Sequence, residues 1–381
     1  MKIAHFSDTH LGYSRYARTD ERGINQRTVD VVDTFQKVLH DILVTDPDVV
    51  IHAGDFFDSV QPLNLVIVAA YKRLVRFQKL RGGRPMIIIA GNHDSPKTIG
   101  KGNILTIFGE GEASDYSIPG VYVVESHAKR IVLPDIGFEA LALPWSGENA
   151  AFDIRPEDRR NVSILIAHGL EQSLGMPGAT LSLSRMNYPE WNYVALGDYH
   201  FRKPLADNVW YSGSTDYTSS NFWEEEKELK GWNLFDSETG ETRFMHVEPL
   251  RAPRTLEQLD ASGLSGEDIG AQLIRNAHWD VDAQPIIRQI VTNCDPIARS
   301  EVPADVRSEL QSRALHYELK MLLAASVGVD TEDVQTRGAT LEDDWKAYAE
   351  ARQLPLGVDR EEFVGAGHKV MKEAAGDPQE D

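Results

Sequence analysis

A single cysteine, Cys294, stands in 381 residues, so no internal disulfide can form and packing alone must hold the fold. No charged, apolar and small-residue leader opens the chain, which with the lone thiol points to the reducing cytoplasm. No apolar run approaches the ~20 residues of a membrane-spanning helix, so no membrane role is expected. Basic residues are also scarce: 39 Lys and Arg face 59 Asp and Glu, a net charge of -20. That balance excludes a surface that is basic all over, and any nucleic-acid contact must use a local basic strip together with bound cations. Neither an internal repeat nor a low-complexity tract is present. A chain of this length exceeds one hydrophobic core, which predicts one large domain and a smaller one or two.

What is abundant is Asp and His at the ends of apolar runs. The runs Ile3 to Phe6, Val49 to His52, Met86 to Ala90, Val162 to Ala167 and Tyr193 to Leu196 read as strands. They lead into Asp8-Thr9-His10, Gly54-Asp55 with Asp58, Gly91-Asn92-His93-Asp94, His168-Gly169 and Gly197-Asp198-Tyr199-His200. In open α/β layers ligands gather beyond the carboxyl ends of strands, so the five motifs are expected on one edge. Up to about residue 250, strand-like segments alternate with helical stripes, at Asp30 to Leu43 and Leu65 to Leu80, which predicts a sandwich of two mixed sheets. Short runs between Val121 and Ala142 suggest antiparallel strands, and Val209 to Tyr211 and Gly231 to Phe235 suggest strands finishing the second half of the sheet. Pro249 to Pro253 reads as a linker. Beyond it, helix-like Ala271 to Ala277 and Val306 to Leu323 with strand-like Gln284 to Thr292 predict a compact α+β module, and Thr340 to Ala375 one or two further helices.

Two divalent metals about 3.5–4 Å apart need a bridging carboxylate, and Asp55 suits that role because Gly54 lets the backbone approach closely. Asp8 and His10, two apart on an extended strand end, would point to one side and share a metal; Asp198 and His200 repeat the spacing. Asn92 offers a neutral carbonyl oxygen, and His168 ends its own strand. Oxygen and imidazole donors without thiolate favour Mn2+, Fe2+ or Mg2+ over structural zinc. His93 would donate a proton to a leaving oxygen or hold a phosphate oxygen. Asp58 would either orient His93 or cap the helix that begins near Pro62. His5 and His52 read as core or outer-shell groups.

Together these motifs resemble the calcineurin-like metallophosphoesterases, whose pattern is Asp-x-His, Gly-Asp-x-x-Asp, Gly-Asn-His-Asp/Glu, His and Gly-His-x-His. Asp8 to Tyr13, the polar stretch to Asp30, Pro47 to Phe57 and Tyr211-Ser212-Gly213-Ser214-Thr215 look more specifically like the Mre-eleven/SbcD family of double-strand-break repair nucleases. The resemblance implies a metallophosphoesterase nuclease domain over 1–250, a DNA-binding capping domain over 251–330 and a helical extension over 331–381. It implies one metal on Asp8, His10, Asp55 and His200, a second on Asp55, Asn92, His168 and residue 198, and His93 as the catalytic histidine. Asp198 departs from the pattern, which has histidine there.

The implied activity is manganese-dependent exonuclease or endonuclease cleavage at DNA ends. Tyr13, Arg15, Tyr16, Arg18 and Arg202, with Arg22 and Arg27, are the candidates for following the phosphate backbone or stacking on bases. Partners implied are a second copy of the chain and a Rad-fifty/SbcC-type coiled-coil ATPase, for which Trp345, Tyr348, Leu354 and Phe363 are candidate anchors; the alternative is a plain helical extension packed on its own domain. Competing readings are a phosphodiesterase or phosphatase for small nucleotides, and a DNA-end-binding scaffold with low turnover.

Overall fold

The computed structural model describes residues 1–98, 102–109, 117–145, 154–324, 345, 346, 349 and 359–375. The strands are β1 (Lys2–Phe6), β2 (Val49–His52), β3 (Met86–Ile89), β4 (Val121–Val124), β5 (Lys129–Leu133), β6 (Phe138–Leu143), β7 (Val162–His168), β8 (Tyr193–Gly197), β9 (Lys203–Ala206), β10 (Val209–Tyr211), β11 (Gly231–Asp236), β12 (Thr242–His246), β13 (Pro253–Thr255), β14 (Leu259–Asp260), β15 (Ile286–Cys294) and β16 (His316–Leu323). The helices are α1 (Gln26–Thr45), α2 (Asn64–Leu80), α3 (Gly266–Arg275), α4 (Pro296–Glu301), α5 (Ala304–Ser312) and α6 (Arg360–Ala375). Among the described residues no helix is long and apolar enough to cross a membrane.

Two six-stranded mixed sheets form the body, in the orders β12-β11-β1-β2-β3-β4 and β5-β6-β7-β8-β10-β9. Strand alternation decides which core each residue joins. Ile3, Val49, Ile51, Ile87 and Ile89 meet Phe138, Ala140, Ile164, Ile166 and Tyr193 between the sheets. On the outer face of the first sheet, Ala4, Phe6, Val50 and Ile88 meet helices α1 and α2. Val31, Phe35, Val38, Leu39 and Ile42 place the apolar stripe of α1 there, and the Asn25 side chain caps its start by accepting from Arg27 N and Thr28 N. The expected two-sheet α/β sandwich is thus the observed one.

Several local expectations fail. β4 does not belong to an antiparallel group: it pairs parallel with β3 at the edge of the first sheet, whereas β5 and β6 do pair antiparallel. β11 joins the first sheet beside β1, not the second. Val306 to Leu323 is not one helix. It is the end of α5 followed by β16, because Tyr317, Leu319 and Met321 pack inward at a period of two while His316, Glu318 and Lys320 occupy the other face.

β13 and β14 pair parallel along one side of β15 and β16 along the other. With α3 to α5 they enclose a separate core around Ile269, Leu273, Ile287, Val291, Leu310 and Tyr317. Compact packing divides the chain after Leu323. In the second unit, the Trp345 and Phe363 rings lie 5.4 Å apart and Trp345 Nε1 donates to the Val364 carbonyl at 3.1 Å. Tyr348 and Leu354 lie outside the described residues.

Candidate metal centre

β1, β2 and β3 run parallel in one sheet, and β7 and β8 in the other, so their carboxyl ends present the motif loops. The first loop is not extended as the Asp-x-His spacing suggested. Asp8 (φ 53°) and His10 (φ 44°) are both left-handed, as are Asp55 (φ 54°) and Asp198 (φ 94°). Such conformations cost roughly 1–2 kcal/mol each and persist only where neighbours enforce them. Here Asp8 N donates to Gly54 O, His10 N to Asp55 O and Leu11 N to Phe56 O, at 2.9–3.1 Å, which lashes the first loop to the second. Asp94, buried, accepts from Phe56 N, Phe57 N and Gly91 N, tying the second loop to the third. Its carboxyl is pushed up to about 6 by burial and then by the charge of Asp55.

The glycines in these motifs allow the close approach. A Cβ on Gly54 would stand 2.2 Å from His168 Nδ1, one on Gly91 2.1 Å from Asp55 Oδ1, and one on Gly197 2.1 Å from Ala53 O.

The structure brings the donor atoms together. His10 Nε2 and His200 Nε2 are 3.1 Å apart, and His168 Nε2 lies 3.0 Å from Asn92 Oδ1 and 3.8 Å from Asp198 Oδ1. Asp55 stands between the two groups, Oδ2 at 3.7 Å from His10 Nε2 and Oδ1 at 3.5 Å from His168 Nε2. Asp8 accepts from Asp198 N at 3.0 Å and from Ser7 Oγ. Three overlapping triads, Asp8/His10/His200, His10/Asp55/His93 and Asp8/Asp55/His168, each keep their ligand atoms within 4.8 Å.

A divalent pair fits this donor set. His168 Nδ1 donates to the Ala53 carbonyl at 2.8 Å, which leaves Nε2 with its lone pair toward Asn92 and Asp55. Buried Asp8 and Asp55 bring like charges to one small space, where a bound cation is the natural compensation. Burial alone would raise the Asp55 carboxyl, but His168 and then His10 hold it below the usual carboxylate range. Burial would lower His168, and the carboxylates of Asp55, Asp8 and Asp198 overcome it and drive its pKa up. Asp198 is raised, by burial first, against the opposing charge of His168.

His93 is exposed, and its Nδ1 lies 2.8 Å from the main-chain oxygen of Asp58, not from the carboxylate that the sequence suggested. The Asp58 carboxylate instead lies 3.2 Å from His10 Nδ1. Nor does Asp58 cap α2, which starts after Leu63 without a side-chain cap. Sequence reasoning gave no role to Ser7, or to Glu225, a buried residue whose Oε1 lies 3.4 Å from His200 Nδ1. Glu225 sits amid Glu224 and Glu226, a run that reads as solvated loop, so only the tertiary structure exposes it. His5 and His52 are core groups, bonded to Tyr193 and Thr9, and burial lowers both to about 3.

The residues expected to meet DNA are mostly engaged within the chain. Tyr13 is buried with the Arg27 guanidinium over its ring, so it has no face for a base. Arg27 is itself buried in salt bridges to Asp30 and Asp216, and Arg22 pairs with Asp20. Arg18 donates to the Gln311 and Ser312 carbonyls, and Arg15 to Ser219 and Ser220. Tyr16 stacks on His316 with centroids 3.9 Å apart. Arg202 lies between the Trp210 and Phe244 rings. Arg15 and Tyr16 do line a cleft of about 440 Å³, together with Arg288, His316, Glu318 and Lys320.

Residues 1–237 match the calcineurin-like phosphoesterase family. Among curated proteins, the chain is similar to DNA double-strand break repair proteins Mre11. That of Methanocaldococcus jannaschii is 25% identical over 259 residues, 66% of each chain. That of Sulfurisphaera tokodaii is 30% identical over 257 residues, 62% of this chain and 59% of the relative. That of Haloferax volcanii is 26% identical over 302 residues, 76% of this chain and 61% of the relative. The matches thus span about three fifths to two thirds of the relatives' own length.

Proposed function

Because this chain belongs to the calcineurin-like phosphoesterase family, we propose that its divalent metal centre hydrolyses phosphodiester bonds at DNA ends during double-strand-break repair. The observation that carries the reading is the placement of Asp55, whose two carboxylate oxygens face two separate imidazole groups. In this reading Asp8, His10, Asp55 and His200 hold one ion, and Asp55, Asn92, His168 and Asp198 the other. The oxygen and imidazole donors favour Mn2+. When bound, the ion pair supplies neutralisation of the phosphate and acidification of the attacking water. His93 does the proton work as the imidazolium: Nδ1–H donates to the Asp58 carbonyl, Nε2–H hands its proton to the leaving oxygen, and the neutral imidazole remains. Asp58 itself acts as a positioning group, through its main chain on His93 and its carboxylate on His10.

DNA as substrate is supported by the Mre11 relatives and by the cationic cleft that Arg15, Arg288 and Lys320 line in an otherwise acidic protein. The proposal includes residues 251–330 as a DNA-binding cap, a Rad-fifty/SbcC-type ATPase partner that docks on the segment 331–381, a second copy of the chain, and a cytoplasmic setting. A second reading, hydrolysis of small nucleotide diesters, is favoured by the net charge of -20 and by the internal engagement of Arg18, Arg27 and Tyr13.

End-labelled duplex DNA and a small diester, each incubated with Mn2+, separate the two. The nuclease reading expects duplex cleavage that Asp55→Ala and His93→Ala abolish, with His93→Ala still binding both ions. Turnover of the small diester alone would sink the DNA reading, and loss of the ions in His93→Ala would make that residue a ligand.

A further inference from the structure

His200 has two ring nitrogens with different neighbours. Nε2 lies 3.1 Å from His10 Nε2, within the group formed with Asp8, while Nδ1 points away toward the buried Glu225. Glu225 Oε1 and His200 Nδ1 are 3.4 Å apart, and neither atom has another partner among the described residues. The other oxygen, Oε2, is held by the buried Lys230, whose ammonium also donates to Ser214 Oγ at 2.8 Å and to the His200 carbonyl at 3.2 Å. All three ammonium hydrogens are thereby used. Two orphan buried polar atoms facing one another must share a proton or carry a large penalty.

We propose that Glu225, fixed by Lys230, is a positioning residue that holds the His200 proton on Nδ1 and so keeps Nε2 free to bind a divalent ion beside Asp8 and His10. The inference rests on the metal-centre reading above. A carboxylate has no hydrogen to give, so the proton between them belongs to Nδ1, and the imidazole is left in the one neutral tautomer whose Nε2 carries a lone pair. Lys230 has only hydrogens to offer and pins the second oxygen as an acceptor. The pair therefore acts on the metal without touching it.

The arrangement makes the isosteric change informative. In Glu225→Gln, Lys230 can donate only to the amide oxygen, so the amide NH2 is turned toward His200. Nδ1 must then accept, the proton moves to Nε2, and that nitrogen can no longer ligate. Adding Lys230→Met removes the constraint. The amide then turns over, its oxygen meets Nδ1 and its NH2 meets Ser214 Oγ, which stands 3.4 Å from Oε2.

The test is Mn2+ titration calorimetry on the full chain, with melting curves of the metal-free proteins alongside. Removal of such outer partners costs about 10–100-fold in metal affinity. Glu225→Gln is expected to weaken one of two Mn2+ sites by that factor, and Glu225→Gln/Lys230→Met to recover most of it. Lost packing alone predicts the opposite order, with the double variant worse. Wild-type affinity in Glu225→Gln, or a folded double variant no better than the single, overturns the proposal. If Glu225→Gln does not fold, nitrogen-15 imidazole spectra of the metal-free wild type, with His200 assigned against His200→Asn, decide the matter: a proton on Nε2 overturns it. A wild type that binds no Mn2+ counts against the metal centre itself, and the same spectra still decide the tautomer.

Discussion

Substituting Gly91 by alanine tests how tightly the backbone grips the bridging carboxylate. Gly91 is not among the residues with positive φ, so alanine can adopt its conformation and the effect comes from contact alone. The added Cβ would lie 2.1 Å from Asp55 Oδ1 and 2.3 Å from Asp55 N, where ordinary contact begins at 3.4 Å. One of the two loops must therefore retreat by roughly 1 Å. Overpacking of this kind costs about 1–3 kcal/mol, and the reduced freedom of the unfolded chain returns about 0.4–1 kcal/mol of it. The fold should survive. The metal centre should not, because ligand distances tolerate only about 0.2 Å. Whichever loop moves, a ligand moves with it: Asp55 on one side, Asn92 on the other. We expect Mn2+ affinity to fall by more than the ~100-fold that marks the loss of an outer partner, with a melting temperature only a few degrees lower. Gly365→Ala, on α6 with nothing within 4 Å of the new methyl group, is the control and should leave binding unchanged. Wild-type Mn2+ affinity in a folded Gly91→Ala protein would refute the reasoning.

Asp94→Ala leaves three buried N–H groups without acceptors, at about 1–3 kcal/mol each, and should cost at least roughly 3 kcal/mol by denaturant unfolding; a loss below about 1 kcal/mol would show that water replaces the carboxylate. Asp198→Ala should loosen one ion and keep the other, whereas Asp198→His should retain both with somewhat weaker binding, as it removes a negative charge. Metal occupancy by anomalous scattering decides, and two full ions in Asp198→Ala would remove Asp198 from the ligand set. A chain ending at Leu323 should bind Mn2+ and melt like the full protein, because compact packing divides the chain there and all of the proposed ligands precede it. Aggregation of that chain, or lost metal, would count against the division.

Legibility in the sequence followed the range of the interaction. Strand ends were legible because apolar runs stop where polar motifs begin, and α1 because Val31, Phe35, Val38 and Ile42 keep one helical face. Sheet membership was not: nothing within Gly231 to Phe235 says that β11 pairs with β1, more than two hundred residues away. β16 reads as helix because the consecutive Met321, Leu322 and Leu323 blur the alternation that Tyr317 and Leu319 begin. The loop geometry of Asp8 and His10 was hidden for a different reason, since their left-handed backbone is imposed by Gly54 and Asp55 on another strand. Tyr13 and Arg27 read as surface groups because a sequence shows charge and aromaticity but not the buried Asp30 and Asp216 that absorb them.

Asp8, His10, Asp55 and Asn92 follow strands of the first sheet, whereas His168 ends β7 and Asp198 and His200 follow β8 of the second. Ions shared among them would lie across the seam of the sandwich, like a buckle at one end of it. The interior of that seam is closed by Phe138, Tyr193 and Phe235. Withdrawing the ions would therefore slacken only the carboxyl-end rim, and the two layers would gain freedom to rock about their apolar interior. Stiffness, more than shape, is what metal loading is expected to change: slowed amide exchange at His52, Ala90, His168 and Gly197, with little change in the strand centres, would be its mechanical signature.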